Sequence, residues 1–575
     1  MLIKLTNLIK KNYLLVLVIL LAAMLRFTVI SKVPPSLNWD EVSHGYNAYS
    51  ILKTGRDEWG QLFPLVNFRA YGDYPLPLNL YITIPFISIL GLTELAVRLP
   101  HVIFGVLTVL ASYFLALGVT KNEKIGHIFA LLVAITPWYL FTSRFVVQSN
   151  LSIFFLTVSA AAFFNRNKHK YLLPVSFFSL GLTLFSYHTT RIFSPLFLIG
   201  LFVIYKKEIL KSFGLERRVK IVSLFFILVF FLPLPFILAK PEARARTKQV
   251  FLIDEGSVNK IVEKRLSSKL PLLATKLFYN RPTYFVYEFI KNYFGYFSPI
   301  FLFLEGGTQY QFSIPGRGLL YLVNLPFFYI GLLILIRKAL SNKNDYKFLL
   351  VWIIISPIPA SVTKENFAVL RATTMLPLPE FITTLGIFTT WYWLLAKIKT
   401  NKSIFKIIAP TIFILFLFAG VEDYLNDYFK NYPRQYSQVW QYGYKEAVEY
   451  VKKNYSKYDR IIVTKKYGEP HEFFLFFWPW DPEVYRTVPN LNRFYQSNWY
   501  WVDGFDKFYF VNDWEIPVLY DEDFVLESGG SIQCSVDGGR CLLVTSPGNV
   551  PDGWNKLETI NFLDGQPAFE IYENL

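Results

Sequence analysis

Carboxylates are concentrated in one stretch of the chain, residues 37–80, LNWDEVSHGYNAYSILKTGRDEWGQLFPLVNFRAYGDYPLPLNL. It carries the adjacent pairs Asp40–Glu41 and Asp57–Glu58, and Asp73 follows in GDYPLPL. Adjacent side chains on a helix point in different directions, so two neighbouring carboxylates are expected to have separate partners. One of them is suited to take a proton from a hydroxyl group, while the other orients that hydroxyl or a bound cation.

A capping role is the alternative interpretation of Asp40 and Glu41. Asn38 or Asp40, placed before a helix that starts at Val42, matches the preference for short polar side chains at a helix N-cap. The position of the pair, directly after the first apolar segment, favours chemistry instead. A short connecting loop needs no such density of acids and aromatic rings, so we interpret the stretch as an active-site loop on a bilayer surface.

Three arginines stand at the ends of predicted membrane segments: Arg144 in TSRF, Arg191 in YHTTRIF and Arg371 in VLRATT. The guanidinium fork is suited to phosphate oxygens, and together with His188 the three suggest a phosphate site. For any single arginine, extension of the side chain to the membrane interface explains the position equally well. Two further candidates lie in a basic loop, where solvation is the simpler explanation: Arg244 and Arg246.

The elements around these residues are typical of a membrane protein. Hydrophobic residues make up 53% of the 575, which is too many for a soluble chain of this length. Residues 12–30 are long enough to span a bilayer, and no small-residue cleavage site follows them. Ten further spans are predicted at 94–118, 125–142, 147–165, 171–187, 191–205, 220–239, 317–336, 347–360, 371–395 and 403–420, which makes about eleven, with a range of 10–13.

Basic residues fall in alternate inter-span loops, which places the N-terminus in the cytoplasm by the positive-inside rule. Residues 76–92 are interpreted as a juxtamembrane or re-entrant helix, because counting them as a span would put the basic loops outside. Residues 284–304 are an interfacial helix or another short span. The membrane domain 1–420 then has two large external loops, 33–93 and 240–316.

The composition changes at Val421. Residues 421–575 carry 14 Lys and Arg against 24 Asp and Glu, whereas the rest carries 44 against 18. Opposite charge in the two parts indicates two compartments and gives no sign of nucleic-acid binding. Helical and alternating patterns predict a mixed α/β domain, with helices at 442–451 and 470–477 and strands at 460–464, 507–511, 523–526, 541–545 and 568–572. Cys534 and Cys541 flank a turn, and form either a disulfide in an oxidising compartment or two free thiols.

Acids directly after a first span, the string GRDEWGQLFPLVNFRAYGDYPLPLNLYITIPFISILG and the following ELAVRLP resemble the bacterial and archaeal GT-C glycosyltransferases. The most similar group is the family of dolichyl-phosphate-mannose–protein mannosyltransferases and lipid A aminoarabinose transferases. TSRF and VLRATTMLPLP resemble later motifs of that family. The resemblance covers residues 10–420, and the tail resembles the family's variable external domains only in placement.

The resemblance implies a polytopic α-helical membrane protein of GT-C type with a C-terminal extracytoplasmic α/β domain. It implies a polyprenyl-phosphate-linked sugar donor and inversion at the anomeric carbon, with Asp40 as the base and Glu41 as its partner. Asp73 matches an acid of a family motif in which relatives often carry Lys at the position of Tyr74. The phosphate contact expected of that lysine then falls to Arg191, Arg371 or the loop 240–282.

The sequence therefore predicts a glycosyltransferase of a prokaryotic plasma membrane that acts on its extracytoplasmic face, with a protein, lipid or glycan as acceptor. Asp40, Glu41 and Asp73 could hold a divalent cation, although their spacing requires none. The alternative is a lipid-linked-sugar flippase or another transporter. A third possibility is a passive anchor for a carbohydrate- or partner-binding ectodomain.

Overall fold

The computed structural model describes the backbone of residues 12–398, 402–534 and 539–574, and the side chains of these residues except 215, 244–246, 248 and 402. Contacts divide the chain into two compact units. The first unit comprises Met1–Thr28 and His101–Leu425. The second comprises Val29–Pro100 and Asn426–Leu575, so the acidic loop and the C-terminal domain belong to one unit.

The first unit is helical. Its described α-helices are Tyr13–Phe27, Glu94–Thr120 (whose first turns belong to the second unit), Glu123–Ile135, Pro137–Thr142, Gln148–Phe164, Leu172–Thr183, Thr190–Leu215, Arg217–Phe231, Leu234–Ala239, Pro241–Val250, Glu255–Leu266, Leu272–Phe278, Arg281–Gly295, Leu325–Leu340, Asn344–Ile355, Ile358–Ser361, Leu378–Lys397 and Lys402–Asn426. The predicted external loop 240–316 thus consists largely of short helices.

Four of the described helical segments are long and apolar enough to cross a membrane: Glu94–Thr120, Arg217–Ala239, Leu322–Leu340 and Ser403–Gln435. In Ser403–Gln435, only 6% of the most apolar 18-residue stretch is buried within the protein. In Arg217–Ala239, the buried share of the corresponding stretch is 17%. Helices that are apolar all round and exposed need a lipid environment. Shorter apolar helices at Tyr13–Phe27, Gln148–Phe164 and Leu172–Thr183 fit the same setting, so the chain is a multi-pass membrane protein.

Several predicted spans are interrupted. The predicted span 125–142 is divided at Thr136, because Pro137 starts a new helix.

The helix Leu78–Leu90 lies within the stretch interpreted as re-entrant and has 13 residues. It is about 20 Å long, which is shorter than the thickness of the hydrocarbon core. The number of crossings stays a prediction.

The second unit combines helices from the acidic loop with a C-terminal α/β domain. Its α-helices are Trp39–Thr54 (here the Asp40 helix), Leu78–Leu90, Tyr432–Gln435, Tyr444–Asn454, Pro470–Phe477 (the Pro470 helix) and Pro482–Thr487. Its strands are β1 (Arg460–Thr464), β2 (Asn492–Gln496), β3 (Trp499–Phe505), β4 (Phe508–Val511), β5 (Phe524–Val525), β6 (Ser531–Ile532), β7 (Cys541–Thr545), β8 (Asn555–Asn561) and β9 (Pro567–Glu573).

Seven strands form one sheet in the order β2-β3-β4-β1-β7-β9-β8, and β5 pairs with β6. β1 pairs in parallel with both β4 and β7, and the other neighbouring strands are antiparallel. The central strand β7 is buried along its whole length, as is typical of a strand covered on both faces. A disulfide joins Cys534 to Cys541.

The prediction of an α/β tail is confirmed, with β1, β7 and the Pro470 helix at their predicted residues. β2, β3, β6 and β8 have no counterpart among the predicted strands. β2 and β8 are the edge strands of the sheet, and most of β8 is exposed. Edge strands lack the continuous apolar pattern by which a buried strand is recognised.

Candidate active site

The Asp40 helix begins with a capping box. The Asn38 side chain accepts a hydrogen bond from the backbone N–H of Glu41 at 3.0 Å, and the Glu41 carboxylate accepts one from the backbone N–H of Asn38 at 3.3 Å. The helix ends at Gly55, whose φ of 70° is left-handed. Asn38 is therefore the N-cap, and Asp40 lies inside the first turn with its side chain available for other contacts.

Glu41 forms a buried ion pair with Arg98 of the ELAVRLP motif. Arg98 Nε donates to Glu41 Oε1 at 2.9 Å, and its Nη2 donates to Oε2 at 2.8 Å. Nη1 of Arg98 also donates to the backbone carbonyls of Ile30 and Pro34 at 3.0 and 2.9 Å. Both side chains are fully buried. Glu41 thus ties the start of the Asp40 helix to the segment that precedes it and to residue 98.

Asp40 is half-buried and accepts a hydrogen bond at Oδ1 from the hydroxyl of Tyr71. Burial, followed by the Asp40 charge, raises the pKa of Tyr71 well above its usual value, so the phenol stays a donor. Nδ1 of His44 lies 2.7 Å from the backbone carbonyl of Asp40, one turn earlier. Burial lowers the pKa of His44, which favours a neutral imidazole next to Asp40.

Aromatic rings from both segments of the second unit pack against Tyr71, the hydrogen-bond partner of Asp40. Tyr71 stacks on Trp499 with ring centroids 5.2 Å apart, and Trp39 lies 6.2 Å from Tyr71. A Cβ atom at Gly72 would overlap the Trp499 ring, so this close approach requires glycine. The Trp499 indole N–H donates to the carboxyl group of Glu469. The C-terminal domain therefore packs against Tyr71, which binds Asp40.

Asp73 and Tyr74 lie in the turn that follows. The backbone N–H of Tyr74 donates to Asp73 Oδ1 at 2.8 Å. Burial, followed by a hydrogen bond with Tyr500, raises the pKa of Tyr74 to about 12. Arg69 interacts with Tyr74 and lies over the Tyr500 ring at 4.7 Å, so Arg69 is a cation close to the position where relatives often carry lysine.

Arg144 is fully buried in the first unit and caps a helix. Its guanidinium donates to the backbone carbonyls of Leu25, Arg26 and Thr28 at 2.5, 2.7 and 2.7 Å. These carbonyls end the helix Tyr13–Phe27, where cations are favoured. The observed contacts of Arg144 are therefore structural.

The other predicted anion-binding residues whose side chains the structure describes also lie in the first unit. Arg191 Nε donates to the backbone carbonyl of Leu184 at 3.1 Å. Arg371 pairs with Glu365 and its Nη1 lies 3.4 Å from Thr363 Oγ1. Three further residues complete the predicted set: His188 is half-buried just before the helix Thr190–Leu215, and the side chains of Arg244 and Arg246 lie outside the described part of the chain.

Within the described residues, one group of three has the ligand types and proximity for a metal ion, namely Glu58, His471 and Glu472. The trio that the sequence offered for a cation, Asp40, Glu41 and Asp73, is not this group. Sequence reasoning also missed Arg98, Tyr71 and Trp499 as neighbours of the acidic pair. Arg98 lies in the ELAVRLP motif, which was part of the family resemblance. Its contact with Glu41 could not be predicted, because the spacing of residues along the chain does not show contacts between distant segments.

Residues 16–243 match the sequence model of the dolichyl-phosphate-mannose-protein mannosyltransferase family. This range contains the Asp40 helix, Tyr71 and Arg98. No curated protein sequence matches the chain significantly.

Among solved structures, ArnT from Cupriavidus metallidurans bound to undecaprenyl phosphate is similar, with a TM-score of 0.50 and 11% identity over 98% of both chains. AglB from Archaeoglobus fulgidus, an archaeal oligosaccharyltransferase in complex with an inhibitory peptide and a dolichol-phosphate, has a TM-score of 0.48 and 14% identity over 81% of this chain. The chain spans only 64% of the length of the AglB chain. The likeness to ArnT extends over nearly the whole chain and is a likeness of fold.

Proposed function

We propose that this chain is a membrane glycosyltransferase of the GT-C superfamily and transfers a sugar from a polyprenyl-phosphate donor to an acceptor hydroxyl. Asp40 is the general base. The observation that carries the proposal is the setting of Asp40: a half-buried carboxylate in the first turn of a capped helix, hydrogen-bonded by Tyr71, within the range that matches the mannosyltransferase family.

The chemistry needs few groups. Asp40 takes the proton of the acceptor hydroxyl as its oxygen bonds to the anomeric carbon. The bond from that carbon to the phosphate oxygen breaks, and the polyprenyl phosphate leaves with the electron pair. A phosphate is already a good leaving group, so positive charge near it is more useful than a general acid. The displacement is a single step and inverts the anomeric carbon.

Each charged residue near Asp40 has a distinct role in this proposal. Tyr71 holds Asp40 in orientation, and Glu41 acts through Arg98 as a positioning residue for the helix. Arg69, beside Tyr74, is the first candidate for the donor phosphate. Asp73 and Tyr74 line the donor site.

We place the reaction on the extracytoplasmic face of a prokaryotic plasma membrane. The alternation of basic loops supports this orientation. The disulfide between Cys534 and Cys541 supports it as well, because disulfides persist mainly in oxidising compartments. Asp40 belongs to the same compact unit as this disulfide and is therefore expected on the same side of the membrane.

The test uses the full chain in lipid nanodiscs with radiolabelled polyprenyl-phosphate mannose, glucose or aminoarabinose, each with a mixture of membrane acceptors. Asp40→Asn is expected to lower sugar transfer about 10²–10⁴-fold, because it removes the base. Tyr71→Phe is expected to lower the turnover number by a smaller factor. Asp552→Asn, at an exposed residue of the C-terminal domain, is the matched control and should transfer at the wild-type rate.

Wild-type turnover by folded Asp40→Asn would show that another group is the base. Movement of label across the bilayer without a new glycosidic bond would instead identify a flippase. Binding of glycan that depends on residues 421–575 and not on Asp40 would favour the anchored ectodomain.

A further inference from the structure

A second cluster of ionisable groups lies in the same unit as Asp40. Glu58 follows the Asp40 helix, and His471 and Glu472 lie in the first turn of the Pro470 helix. One ligand atom from each residue lies within 4.8 Å of the others. All three residues are at most 3% exposed, so the cluster is closed off from solvent.

The cluster contains buried polar atoms without hydrogen bonds. Within the described residues, Glu58 Oε2, Glu472 Oε2 and His471 Nδ1 have no hydrogen-bond partner. Nearly all buried polar atoms in proteins are paired, because leaving one unpaired destabilises the fold. Nδ1 of His471 faces Glu469, so the two carboxylate oxygens are the atoms that point to a missing partner.

The charges of the cluster point to a cation. Arg493 Nη2 lies 3.2 Å from Glu58 Oε1, and Glu469 lies next to His471, with Oε2 3.5 Å from Nδ1. When Glu58, Glu472 and Glu469 are ionised, Arg493 balances one of three negative charges.

We propose that Glu58, His471 and Glu472 bind a divalent transition-metal ion, such as Zn²⁺ or Mn²⁺. Two carboxylates and an imidazole nitrogen form a ligand set for these ions, whereas Mg²⁺ and Ca²⁺ prefer oxygen ligands alone. Ligands about 2.1 Å from a tetrahedral ion are about 3.4 Å apart. A ligand pair at the 4.8 Å limit then has to contract by about 1.4 Å on binding.

The surroundings of His471 fit a metal ligand. Nε2 lies 3.9 Å from Glu472 Oε1 and Nδ1 faces Glu469. Nε2 is therefore the ligand, and Glu469 orients the ring from behind, as carboxylates commonly do in metal sites.

The ion would join the acidic loop to the C-terminal domain, because Glu58 comes from the first and the other two ligands from the second. This role is independent of the proposed sugar transfer. The competing arrangement is a proton shared by Glu58 and Glu472 with no metal.

The test uses the purified full chain, treated with EDTA and then dialysed against Zn²⁺, Mn²⁺ or Co²⁺, with Mg²⁺ and Ca²⁺ as comparison ions. We expect one transition-metal ion per chain by elemental analysis, a visible Co²⁺ spectrum typical of nitrogen and oxygen ligands, and a rise in Tm of several degrees. His471→Gln and Glu472→Gln should each weaken binding by at least 100-fold. His169→Gln and Glu483→Gln, at exposed residues, are matched controls and should bind like the wild type.

Absence of uptake by the wild type at a tenfold excess of each transition ion would overturn the proposal and leave the shared proton. Unchanged stoichiometry in His471→Gln would also overturn it, since the ion would then bind elsewhere. If the glutamine variants fail to fold, Glu472→Asp replaces them: a changed Co²⁺ spectrum supports the site, and an unchanged one contradicts it.

Discussion

At the scale of single residues, Asp40 and Glu41 are neighbours with different partners. Tyr71 donates to Asp40 from 31 positions away, and Arg98 binds Glu41 from 57 positions away. Separate partners were predictable, because adjacent helical side chains diverge. The identity of the partners was not, because local spacing carries no information about contacts between distant segments.

The buried pair of Glu41 and Arg98 is expected to be costly to break. Glu41→Gln keeps the size and the capping hydrogen bond but leaves Arg98 as an unpaired buried charge. We expect a loss of about 3–5 kcal/mol in the free energy of unfolding, and partial recovery in Glu41→Gln/Arg98→Met. The measurement is chemical unfolding of the solubilised chain, followed by tryptophan fluorescence.

The control for this cycle is Glu216→Gln, which breaks the exposed pair of Lys170 and Glu216. That change should cost less than about 1 kcal/mol. Equal losses in Glu41→Gln and Glu216→Gln would contradict a structural role for the buried pair.

Glu469 makes stability depend on pH. Burial is the main cause that raises its pKa to about 8, so the folded state holds a proton that the unfolded state releases near pH 4.5. Stability is therefore full below about pH 4.5 and falls as the pH rises to about 8, on the order of 1 kcal/mol per pH unit.

The check is the pH dependence of unfolding in EDTA for wild type and Glu469→Gln. Subtracting the Glu469→Gln curve from the wild-type curve removes the contributions of Glu58 and Glu472 to the pH dependence of stability. Those contributions have the same sign as that of Glu469. The wild type should lose more stability than the variant between pH 5 and 8. Parallel curves would mean that Glu469 is ionised in the folded protein.

At the scale of elements, two glycines let one pair of helices approach closely. Gly331 lies in Leu325–Leu340 and Gly386 in Leu378–Lys397. A Cβ atom at Gly331 would overlap the backbone carbonyl of Ile382, and one at Gly386 would overlap that of Phe327. Apolar runs at 317–336 and 371–395 predicted both helices approximately. Their pairing was not predictable, because glycines are frequent in membrane helices for several reasons.

Gly331→Ala should therefore destabilise the helix pair. Overpacking against a backbone carbonyl has no flexible side chain to relieve it, so we expect a loss of about 1–3 kcal/mol and a lower Tm in detergent. Gly214→Ala is the matched control, because that helical glycine has open space around its Cβ position. It should be neutral or slightly stabilising. A lower Tm in both variants would point to a general intolerance of alanine.

At the scale of the whole molecule, composition identified a membrane part and a soluble part. The sequence predicted an α/β tail but not that the acidic loop would form one unit with it. That grouping depends on specific contacts, such as Trp499 on Tyr71 and Arg493 on Glu58, which have no periodic signature. The resemblance to the mannosyltransferase and aminoarabinose transferase family includes the acidic loop. The tail resembles that family only in its placement.

The predicted orientation can be measured with single cysteines in a Cys534→Ser/Cys541→Ser background. Asp564→Cys probes the C-terminal domain, and Ser341→Cys probes a loop predicted to be cytoplasmic. Both residues are exposed. In intact bacterial cells, a membrane-impermeant maleimide should label Asp564→Cys at least tenfold more than Ser341→Cys, and lysed cells should label both. The reverse pattern would place the C-terminal domain in the cytoplasm.

The second unit is built from two separate segments of the chain, which are synthesised at different times. Its first segment ends at Pro100, and its second starts at Asn426. The ribosome therefore makes the 325 residues between them before it reaches the second segment. At 5–20 residues per second this takes about 15–65 s. Throughout that interval the Asp40 helix is outside the ribosome without the Pro470 helix or Trp499. A newly inserted chain therefore carries an unfinished Asp40 environment until its last quarter has been translated.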